Sequence, residues 1–501
     1  MTREGGFRGS FPPEKRKTAL KLGDYLGFLE TPAAFPSASL LETEILKVAT
    51  DSRTIKGGEL FVALKGRNFD GNRFAGDALA KGARAALAEE GSRELFQGAD
   101  VGEFRGRVAF VPDGLKALGD LARGIKRLYR LETAAVTGSV GKTTVKELLK
   151  NILVSQHGRE RVLATAGNFN NLVGLPLTLL GASAENTVAV LEMGANSFGE
   201  IARLTEIAEP EVGLVTRAMK AHLQGFGDLE GVARAKGELF RNLKREAQAV
   251  VNFSDPLVKR EGMKFPGNIM SFGRREDGAG YHIQRAEERD FGGRFPGGCV
   301  LVIKGPAFPE GIEVEFRLPG RHNRENALAA AAAAAAMGVD GEHVKKGLEE
   351  SLPIEGRGRI HRAKELEAYI LDDSYNANPG SMTAALELLG TLSRGRRGAV
   401  IGTMLELGGN AANEHYNLGL NLAKSGLSYL GLVGEHSEDV KRGALQGGMD
   451  PDVVSVLKDA GEAVDFIRGR AGRGDLILLK GSHSTGISRA ARAFFEVPNA
   501  F

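Results

Sequence analysis

The chain has 501 residues, and at about 150 residues per domain this length predicts three domains. Its 66 basic and 63 acidic residues leave a net charge of only +3, which argues against a nucleic-acid partner, since such binders carry a concentrated basic face. The single cysteine excludes an internal disulfide and fits a reducing compartment. No apolar run approaches the ~20 residues of a membrane helix, so we expect a cytoplasmic α/β enzyme without membrane insertion.

The amino-terminal part of the chain divides into a tail and a first domain. Residues 1–17 mix glycine, proline and charge without an apolar run, and this composition predicts a disordered tail. Residues 18–130 contain a strand-like run at Gly58–Leu64 and then a helical apolar pattern. The leucines and isoleucine of that pattern, which predict the buried face of a helix, are Leu115, Leu118, Leu121, Ile125 and Leu128.

Short apolar runs alternate with helical patterns through residues 131–355 and 356–501, which indicates two domains built on parallel sheets. A Gly-rich segment at Gly262–Pro319 predicts a peripheral sheet, and the alanine-rich run Ala327–Met337 predicts a soluble helix. The predicted strands are Ala134–Thr137, Val188–Leu191, Val212–Thr216 and Ala249–Val251, followed by Ala368–Leu371, Ala399–Ile401, Tyr429–Val433 and Leu476–Leu479.

Polar residues suited to chemistry follow the predicted strands. Ligands of open α/β sheets bind outside the carboxyl ends of the strands, so these side chains are expected at the ligand-binding edges. They are Lys142, Glu192, His222, Asp373, Glu406 and Lys480.

A phosphate-binding loop is predicted at residues 137–144, which read Thr-Gly-Ser-Val-Gly-Lys-Thr-Thr between a strand and a helical pattern. Glycines let backbone N–H groups converge on phosphate oxygens, Lys142 can bridge the β- and γ-phosphates, and the Thr143 hydroxyl can ligate Mg²⁺. The simpler alternative is a Gly-rich strand–helix turn. The common motif has glycine where Val136 stands, so this is the shorter form of the loop. The predicted nucleotide-binding residues are Gly138, Ser139, Val140, Gly141, Lys142, Thr143 and Thr144.

The loop sequence Thr-Gly-x-x-Gly-Lys-Thr-Thr resembles that of the Mur ligase family, and further motifs between about residues 50 and 485 extend the resemblance. They include Asp-Ser-Arg at 51–53, Asn-Phe-Asn-Asn at 168–171, Glu-Met-Gly-Ala at 192–195, Pro-Gly-Arg-His-Asn at 319–323, Asp-Asp-Ser-Tyr-Asn-Ala-Asn-Pro at 372–379 and Lys-Gly-Ser at 480–482. Within this family they are similar to the member that adds a terminal D-alanyl-D-alanine (D-Ala-D-Ala).

This resemblance implies an α/β protein with a small α/β UDP-sugar domain, a central P-loop ATPase-like parallel sheet and a carboxyl-terminal Rossmann-like domain. It implies that ATP and Mg²⁺ are used to join D-Ala-D-Ala to UDP-N-acetylmuramoyl-tripeptide (UDP-MurNAc-tripeptide). The substrate carboxylate would attack the γ-phosphate of ATP, and the amine would then displace phosphate from the acyl phosphate. We expect a monomer.

The resemblance also implies metal ligands: Thr143, Glu192, His222 and a carbamylated Lys236. A solvated strand end is the alternative for Glu192, a polar loop residue for His222 and an ordinary surface lysine for Lys236. Residues 217–220 depart from the family pattern just before the histidine.

Substrate contacts follow from the same resemblance. Asp51, Ser52 and Arg53 are expected on the UDP-sugar, with a capped, charged turn as the alternative. Asn168, Asn170 and Asn171 are expected near the sugar and phosphate, with turn formation as the alternative. Asn72 stands where the family has histidine.

Other residues are implied for ATP and the dipeptide. Asn323 and Asn326 are expected on the adenine side, with helix capping as the alternative, and Asp373 on the ribose. Arg357, or else Arg359, resembles an interdomain arginine that reaches the ATP phosphates. The residues expected to shape the substrate loop or hold the dipeptide are Tyr375, Asn376, Asn378, Lys480 and Ser482, and His483 stands where the family has arginine.

Two other functions are alternatives to the addition of D-Ala-D-Ala. The preceding Mur ligase adds the third amino acid and carries Asp-Asn-Pro-Arg, a tetrapeptide that this sequence lacks. A P-loop switch or motor protein would leave residues 51–53 and 480–482 unexplained. The third residue of the tripeptide, diaminopimelate or lysine, stays open.

Overall fold

The computed structural model describes residues 20–33, 38–66, 69–96, 104–289 and 297–495, so the tail predicted at 1–17 lies outside the described residues. The chain packs as two compact units. Of the described residues, the first unit comprises those up to Glu132 together with Thr165–Ala189, and the second comprises Thr133–Ala164 and those from Val190. Parallel sheets with helices between their strands confirm the predicted α/β class.

The first unit is built on a parallel sheet in the order β3-β4-β5-β6, and a short antiparallel pair, β1-β2, accompanies it. Every residue of the second sheet strand is buried, which suits a parallel strand covered on both faces. The elements are β1 (Leu20–Lys21), α1 (Leu22–Leu26), α2 (Ala38–Leu41), β2 (Glu44–Ile45), β3 (Lys47–Ala49), β4 (Glu59–Val62), α3 (Ala75–Ala80), β5 (Ala85–Glu89), β6 (Val108–Val111) and α4 (Gly114–Tyr129).

The second unit begins with a six-stranded sheet in the order β12-β11-β10-β7-β9-β8. Its first elements are β7 (Glu132–Thr137), α5 (Lys142–His157), β8 (Val162–Ala164), α6 (Gly174–Leu180, part of the first unit), β9 (Val188–Glu192), α7 (Glu200–Ala208), β10 (Val212–Val215), α8 (Leu223–Phe226), α9 (Leu229–Asn242), β11 (Gln248–Asn252), α10 (Pro256–Gly262) and β12 (Asn268–Phe272). Strand β7 lies between β9 and β10 in this sheet, so the ends of these three strands are neighbours.

An antiparallel sheet and two helices follow: β13 (His282–Glu288), β14 (Cys299–Gly305), β15 (Phe308–Phe316), α11 (Arg321–Ala336) and α12 (Gly341–Glu349). The peripheral sheet predicted within Gly262–Pro319 is therefore present, but β12 of that segment joins the central sheet. The alanine-rich helix is α11, and its buried alanines let it pack closely against α5 and β10–β12.

The last part of the second unit is a six-stranded sheet in the order β16-β17-β21-β18-β19-β20. Its strands run parallel except for β16, which pairs antiparallel with β17. The elements are β16 (Arg359–Ala363), β17 (Ala368–Asp372), α13 (Pro379–Leu392), β18 (Arg397–Gly402), α14 (Ala411–Ala423), β19 (Tyr429–Val433), α15 (Ser437–Gln446), β20 (Val454–Leu457), α16 (Ala460–Arg470), β21 (Leu476–Lys480) and α17 (Ile487–Arg492).

The apolar pattern of α4 was only partly interpreted correctly. Leu118, Leu121 and Ile125 are buried, as predicted, whereas Leu115 and Leu128 are 36% and 38% exposed. The prediction counted only large aliphatic residues, whereas the rest of the buried surface of α4 comes from small residues, Tyr129 and three charged side chains. In the described part of the chain, no helix combines the length and the apolar character needed to cross a membrane.

Helices α5 and α12 approach each other at Gly347. A Cβ atom added there would lie 2.3 Å from Cα of Ile152. We predict that Gly347→Ala lowers the free energy of unfolding by about 1–3 kcal/mol, because the helices must move apart. Denaturant melts of Gly469→Ala provide the control, since a Cβ atom at this exposed helical position meets no atom within 4 Å. Equal stability of the Gly347→Ala and wild-type proteins would contradict the close approach.

Candidate active site

The loop between β7 and α5 needs glycine at two positions. Gly138 and Gly141 have φ angles of 141° and 83°, which residues with a side chain rarely adopt. A Cβ atom at Gly138 would lie 2.0 Å from Thr216 Oγ1, and one at Gly141 would lie 2.5 Å from Asn326 Oδ1. The glycines therefore allow the loop to pack against the residue after β10 and against α11.

Hydrogen bonds fix this loop to the segment that follows β10. The Ser139 hydroxyl donates to the carbonyl oxygen of Met219 at 2.9 Å, and the Thr216 hydroxyl donates to that of Val140 at 2.6 Å. Lys142 Nζ donates to the carbonyl oxygen of Gly138 at 2.8 Å, so the lysine lies along its own loop. The loop geometry is thus held before any phosphate binds.

Thr143 and Glu192 meet at the ends of neighbouring elements. Thr143 lies in the first turn of α5, and Glu192 is the last residue of β9. The Thr143 hydroxyl donates to Glu192 Oε2 at 2.7 Å, and Glu192 is only 2% exposed. Glu192 is therefore not a solvated strand end. A hydroxyl beside a buried carboxylate is the type of oxygen pair that Mg²⁺ prefers.

His222 contacts a carboxylate from the carboxyl-terminal sheet. It directly precedes α8, and its Nδ1 lies 2.5 Å from Glu406 Oε2. The contact with His222 is the largest cause that lowers the pKa of Glu406, and the charge of Lys142 adds to this effect. The His222 ring also contacts Phe226 edge to face, with centroids 6.4 Å apart. The sequence predicts Glu406 only as a polar residue at the carboxyl end of a strand and indicates no partner for it.

Lys236 is buried in α9, with 1% of its surface exposed. Its Nζ lies 5.2 Å from the ring centroid of Phe226 and 3.5 Å from the carbonyl oxygen of Ala195. Burial, the largest cause, and the charge of Lys142 together lower the pKa of Lys236 to about 7, against the opposing effect of Glu200 and Glu238. Lys236 is therefore not an ordinary surface lysine, and its amine is readily neutral.

The four expected metal ligands fall into two pairs. Thr143 contacts Glu192, whereas His222 and Lys236 both contact Phe226. Within the described ranges, no three His, Cys, Asp or Glu residues form a group that could hold a metal ion. The hydroxyl and carboxylate oxygens of the first pair fit Mg²⁺, so the fit rests on Thr143 and Glu192.

The charge of Arg357 acts on Lys142 of the phosphate loop. Burial, the largest effect, lowers the pKa of Lys142, and the charge of Arg357 lowers it as well, whereas Glu192 raises it. The Arg357 guanidinium also stacks 4.3 Å from the ring centroid of Tyr375. Arg359, the other arginine considered, is the first residue of β16.

Asn323 and Asn326 lie in the first turns of α11, but Gly320 occupies the capping position. Asn323 donates to the carbonyl oxygen of Pro319 at 2.8 Å, and Asn326 donates to Asn323 Oδ1 at 3.3 Å. Helix capping therefore does not explain either residue. Asn326 is placed directly beside Gly141 of the phosphate loop.

Lys480 and Asp373 form an ion pair at the carboxyl edge of the last sheet. Lys480 Nζ lies 2.6 Å from Asp373 Oδ2 and donates to the carbonyl oxygen of Asn376 at 2.9 Å. Lys480 is only 1% exposed. The resemblance implies separate ligands for Asp373 and Lys480, ribose and dipeptide, whereas in the structure the two side chains contact each other.

The remaining predicted residues of this edge have structural contacts. The Ser482 hydroxyl accepts a hydrogen bond from the backbone N–H of Leu405 at 3.0 Å. Asn378 caps α13 by accepting from the N–H of Ser381 at 2.9 Å. The rings of His483 and Tyr375 lie 6.0 Å apart, so His483 does stand beside the predicted substrate loop.

The predicted UDP-sugar residues all lie in the first unit, since this unit includes Thr165–Ala189. Asp51 caps a single helical turn and binds the exposed Arg53 at 2.7 Å, as in a capped, charged turn. Asn171 accepts from the N–H of Gly174 at 2.8 Å at the start of α6. Asn72 is buried and accepts from the N–H of Glu89 at 2.8 Å, which gives it a structural role. Of the other members of these two sets, Ser52 lies in the helical turn that Asp51 caps, and Asn168 and Asn170 lie in the segment just before Asn171.

This architecture defines a P-loop α/β protein with a second, mostly parallel sheet. Comparison with known proteins agrees with that class. Residues 44–126 match the Mur ligase family catalytic domain, residues 136–334 the Mur ligase middle domain and residues 357–483 the Mur ligase glutamate ligase domain. The chain is 35% identical over 460 residues to the UDP-N-acetylmuramoyl-tripeptide–D-alanyl-D-alanine ligase of Escherichia coli K12, covering 90% of this chain and 93% of the relative. Identity to the Bacillus subtilis 168 enzyme of that name is 33%, covering 91% and 94%. The chain belongs to the Mur ligase family.

Solved structures support the same membership. A crystal structure of MurF from Acinetobacter baumannii has a TM-score of 0.81 and 30% sequence identity, covering 95% of this chain and 98% of that one. MurF ligase from Thermotoga maritima in complex with ADP has a TM-score of 0.75 and 28% identity, covering 89% and 96%. The fold expected from the resemblance is confirmed.

Proposed function

We propose that this chain is an ATP-dependent ligase that joins D-Ala-D-Ala to UDP-MurNAc-tripeptide and so forms the pentapeptide precursor of peptidoglycan. The observation that carries this proposal is full-length similarity to ligases of that name, combined with a phosphate loop held beside a buried carboxylate. The proposal includes domains at 18–130, 131–355 and 356–501, a monomeric state and a cytoplasmic location. The residue ranges of the three family matches support the domain division.

In the first step, the tripeptide carboxylate attacks the γ-phosphate of ATP and ADP leaves. Lys142 exchanges its bond to the Gly138 carbonyl for the phosphate oxygens, where negative charge develops. The backbone of residues 138–144 and the side chain of Asn326 enclose the nucleotide, with Asn323 behind Asn326. Arg357 adds positive charge from the carboxyl-terminal part of the chain.

The residues that would hold Mg²⁺ are Thr143, Glu192, His222 and carbamylated Lys236. Bound there, Mg²⁺ would stabilise negative charge on the transferred phosphoryl group. Burial prepares Lys236 for carbamylation, because only the neutral amine reacts with CO₂ and a buried ammonium is disfavoured.

In the second step, the amine of D-Ala-D-Ala attacks the acyl phosphate, and phosphate leaves from a tetrahedral intermediate. We assign Asp373 to the ATP ribose and Lys480, Ser482, Asn376 and Asn378 to the dipeptide side. Ligand binding then requires Lys480 to exchange part of its contact with Asp373. The turns at residues 51–53 and 168–171 bind the UDP-sugar.

Product analysis tests the function. We predict that the protein with ATP, Mg²⁺, D-Ala-D-Ala and UDP-MurNAc-tripeptide yields a pentapeptide whose mass equals the two substrates minus one water. Parallel reactions with a lysine or a diaminopimelate tripeptide identify the third residue. Addition of a single amino acid to a UDP-dipeptide would favour the preceding ligase, and ADP release without any amine would favour a switch or motor protein.

Hydroxylamine in place of D-Ala-D-Ala examines the intermediate of the same reaction. An acyl phosphate should be captured as the hydroxamate of the UDP-tripeptide. Oxygen-18 in the tripeptide carboxylate should also appear in the released phosphate. Label that stays only in the peptide product would contradict phosphorylation of the carboxylate.

Replacement of Lys142 tests the phosphate loop. We predict that Lys142→Ala lowers kcat by about 10²-fold or more, because it removes the cation where negative charge develops. Steady-state kinetics measure this loss, and unchanged denaturant melts show an intact fold. Lys150→Ala, on the same helix but paired with Glu147, is the control expected to keep its turnover. Near-normal turnover of Lys142→Ala would exclude the assignment.

Replacement of Lys236 tests the carbamate. We predict that Lys236→Ala loses most activity, that formate partly restores it, and that Lys236→Arg stays inactive because arginine keeps a cation near the metal ligands. The exposed Lys244 supplies a control alanine variant. Carbon-13 NMR with labelled bicarbonate should show a carbamate signal in wild type only. Full activity of Lys236→Arg would contradict the carbamate.

A further inference from the structure

We propose that Glu406 is a positioning residue that orients His222 for metal binding. Its Oε2 lies 2.5 Å from Nδ1 of His222, and from this ion-pair contact we infer that the proton of the neutral imidazole stays on Nδ1. In that tautomer Nε2 keeps the lone pair that a metal ligand needs. Carboxylates that bind the second nitrogen of a ligating histidine set its ring orientation and raise its basicity. This inference rests on the proposed function, in which His222 holds Mg²⁺.

Backbone conformation singles out this pair of residues. In the part of the chain that the structure describes, Arg130, Glu209, Glu367, His222 and Glu406 are the non-glycine residues with positive φ. The first three directly follow a helix or a helical turn, where this conformation commonly ends the element. His222 and Glu406, with φ of 53° and 64°, are the other two, and they contact each other. Strained backbone of this kind persists where the surroundings enforce it, and it concentrates at functional sites.

The loop that carries Glu406 is fixed on its amino-terminal side. The backbone N–H of Met404 donates to Nε2 of His415 at 2.9 Å, while Nδ1 of that histidine lies 2.7 Å from the carbonyl oxygen of Ala411. The N–H of the next residue, Leu405, donates to the Ser482 hydroxyl at 3.0 Å. Two consecutive N–H groups are thus held, which fixes the direction in which Glu406 leaves the loop.

The loop that carries His222 is held by the same part of the molecule. Lys220 Nζ lies 2.7 Å from Glu414 Oε1, and Glu414 is the neighbour of His415 on α14. A second contact is the close packing of Gly408 on Gln224, where an added Cβ atom would lie 3.4 Å from Cα. The segment 403–415 therefore holds the loop at residues 220–224, and Glu406 contributes its carboxylate to the one histidine of that loop.

Metal binding provides a readout other than catalysis. With Mn²⁺ as the probe and a nonhydrolysable ATP analogue present, we expect electron paramagnetic resonance titrations to show about 10-fold to 100-fold weaker Mn²⁺ binding for Glu406→Ala. Glu406→Gln, whose amide oxygen can still accept from Nδ1, should recover part of the affinity. Glu435→Gln, an exposed carboxylate in the same part of the chain, is the matched control and should bind like wild type.

A double-mutant cycle shows whether Glu406 acts through His222. In a His222→Ala background, Glu406→Ala should cause no further loss of Mn²⁺ affinity, because the residue it orients is gone. Equal losses in both backgrounds, unchanged affinity in Glu406→Ala, or tighter binding by this variant would each overturn the proposal. Tighter binding would mean that Glu406 withholds His222 from the metal.

Steady-state kinetics and denaturant unfolding of the Glu406 variants provide two further readouts. Glu406→Ala should raise the Mg²⁺ concentration needed for half-maximal ligation, with recovery in Glu406→Gln and no change in the denaturant midpoint. An equal fall in kcat at all Mg²⁺ concentrations would contradict a positioning role. The Mn²⁺ cycle uses no peptide substrate, so a wild-type protein that binds Mn²⁺ but fails to use D-Ala-D-Ala would refute the proposed function alone.

Discussion

The packing of the phosphate loop against the end of β10 is the constraint on which the candidate site depends. Gly138 leaves no room for a Cβ atom beside Thr216, and the same threonine donates to the carbonyl oxygen of Val140. Since β7 lies between β9 and β10, this packing also fixes the start of α5 beside the end of β9. The hydrogen bond between Thr143 and Glu192 follows from that arrangement. A substitution that displaced the loop would therefore disturb the phosphate-binding residues and the expected metal ligands together.

Several positively charged side chains lie around this loop, and burial deprives them of favourable hydration. Burial lowers the pKa of both Lys142 and Lys236, and Lys142 lowers that of Lys236 in addition. The charge of Arg357 lowers the pKa of Lys142 as well. Because these cations repel one another in partly desolvated positions, an arriving triphosphate would relieve their repulsion. The affinity for nucleotide and the readiness of Lys236 to lose its charge thus have one physical origin.

The predictions from sequence succeeded where local pattern determines structure. The strand–loop–helix around residues 137–144 and the buried strand that ends at Glu192 both follow from short-range periodicity. The burial of Lys236 could also have been found, because Val232, Ala233, Leu239 and Phe240 are spaced at i−4, i−3, i+3 and i+4 from it and are buried. An ordinary surface lysine stayed open as the alternative for Lys236 because its charge was given more weight than its position on the apolar face of the helix.

Contacts that depend on the order of strands in a sheet could not be predicted from the sequence. Asp373 and Lys480 are 107 positions apart, yet they follow or end the adjacent parallel strands β17 and β21, with Asp372 opposite Leu479. No periodicity in the sequence shows that β21 pairs with β17. The same limit applies to His222 and Glu406, which come from different sheets. In each case a motif supplies the residue type, whereas the partner emerges only from the three-dimensional order of the strands.

The charged groups of the candidate site differ in their partners, and under the proposed function this difference bears on the order of events. Lys480 is already paired with a carboxylate, and Glu406 is paired with a histidine. Lys142 instead donates to a neutral carbonyl of its own loop. Exchange of that carbonyl for a charged phosphate oxygen gains a stronger hydrogen bond, whereas freeing Lys480 from Asp373 first breaks an ion pair. In the proposed function, nucleotide binding at the loop would therefore come before rearrangement at the dipeptide side, and activation of the carboxylate before amine capture.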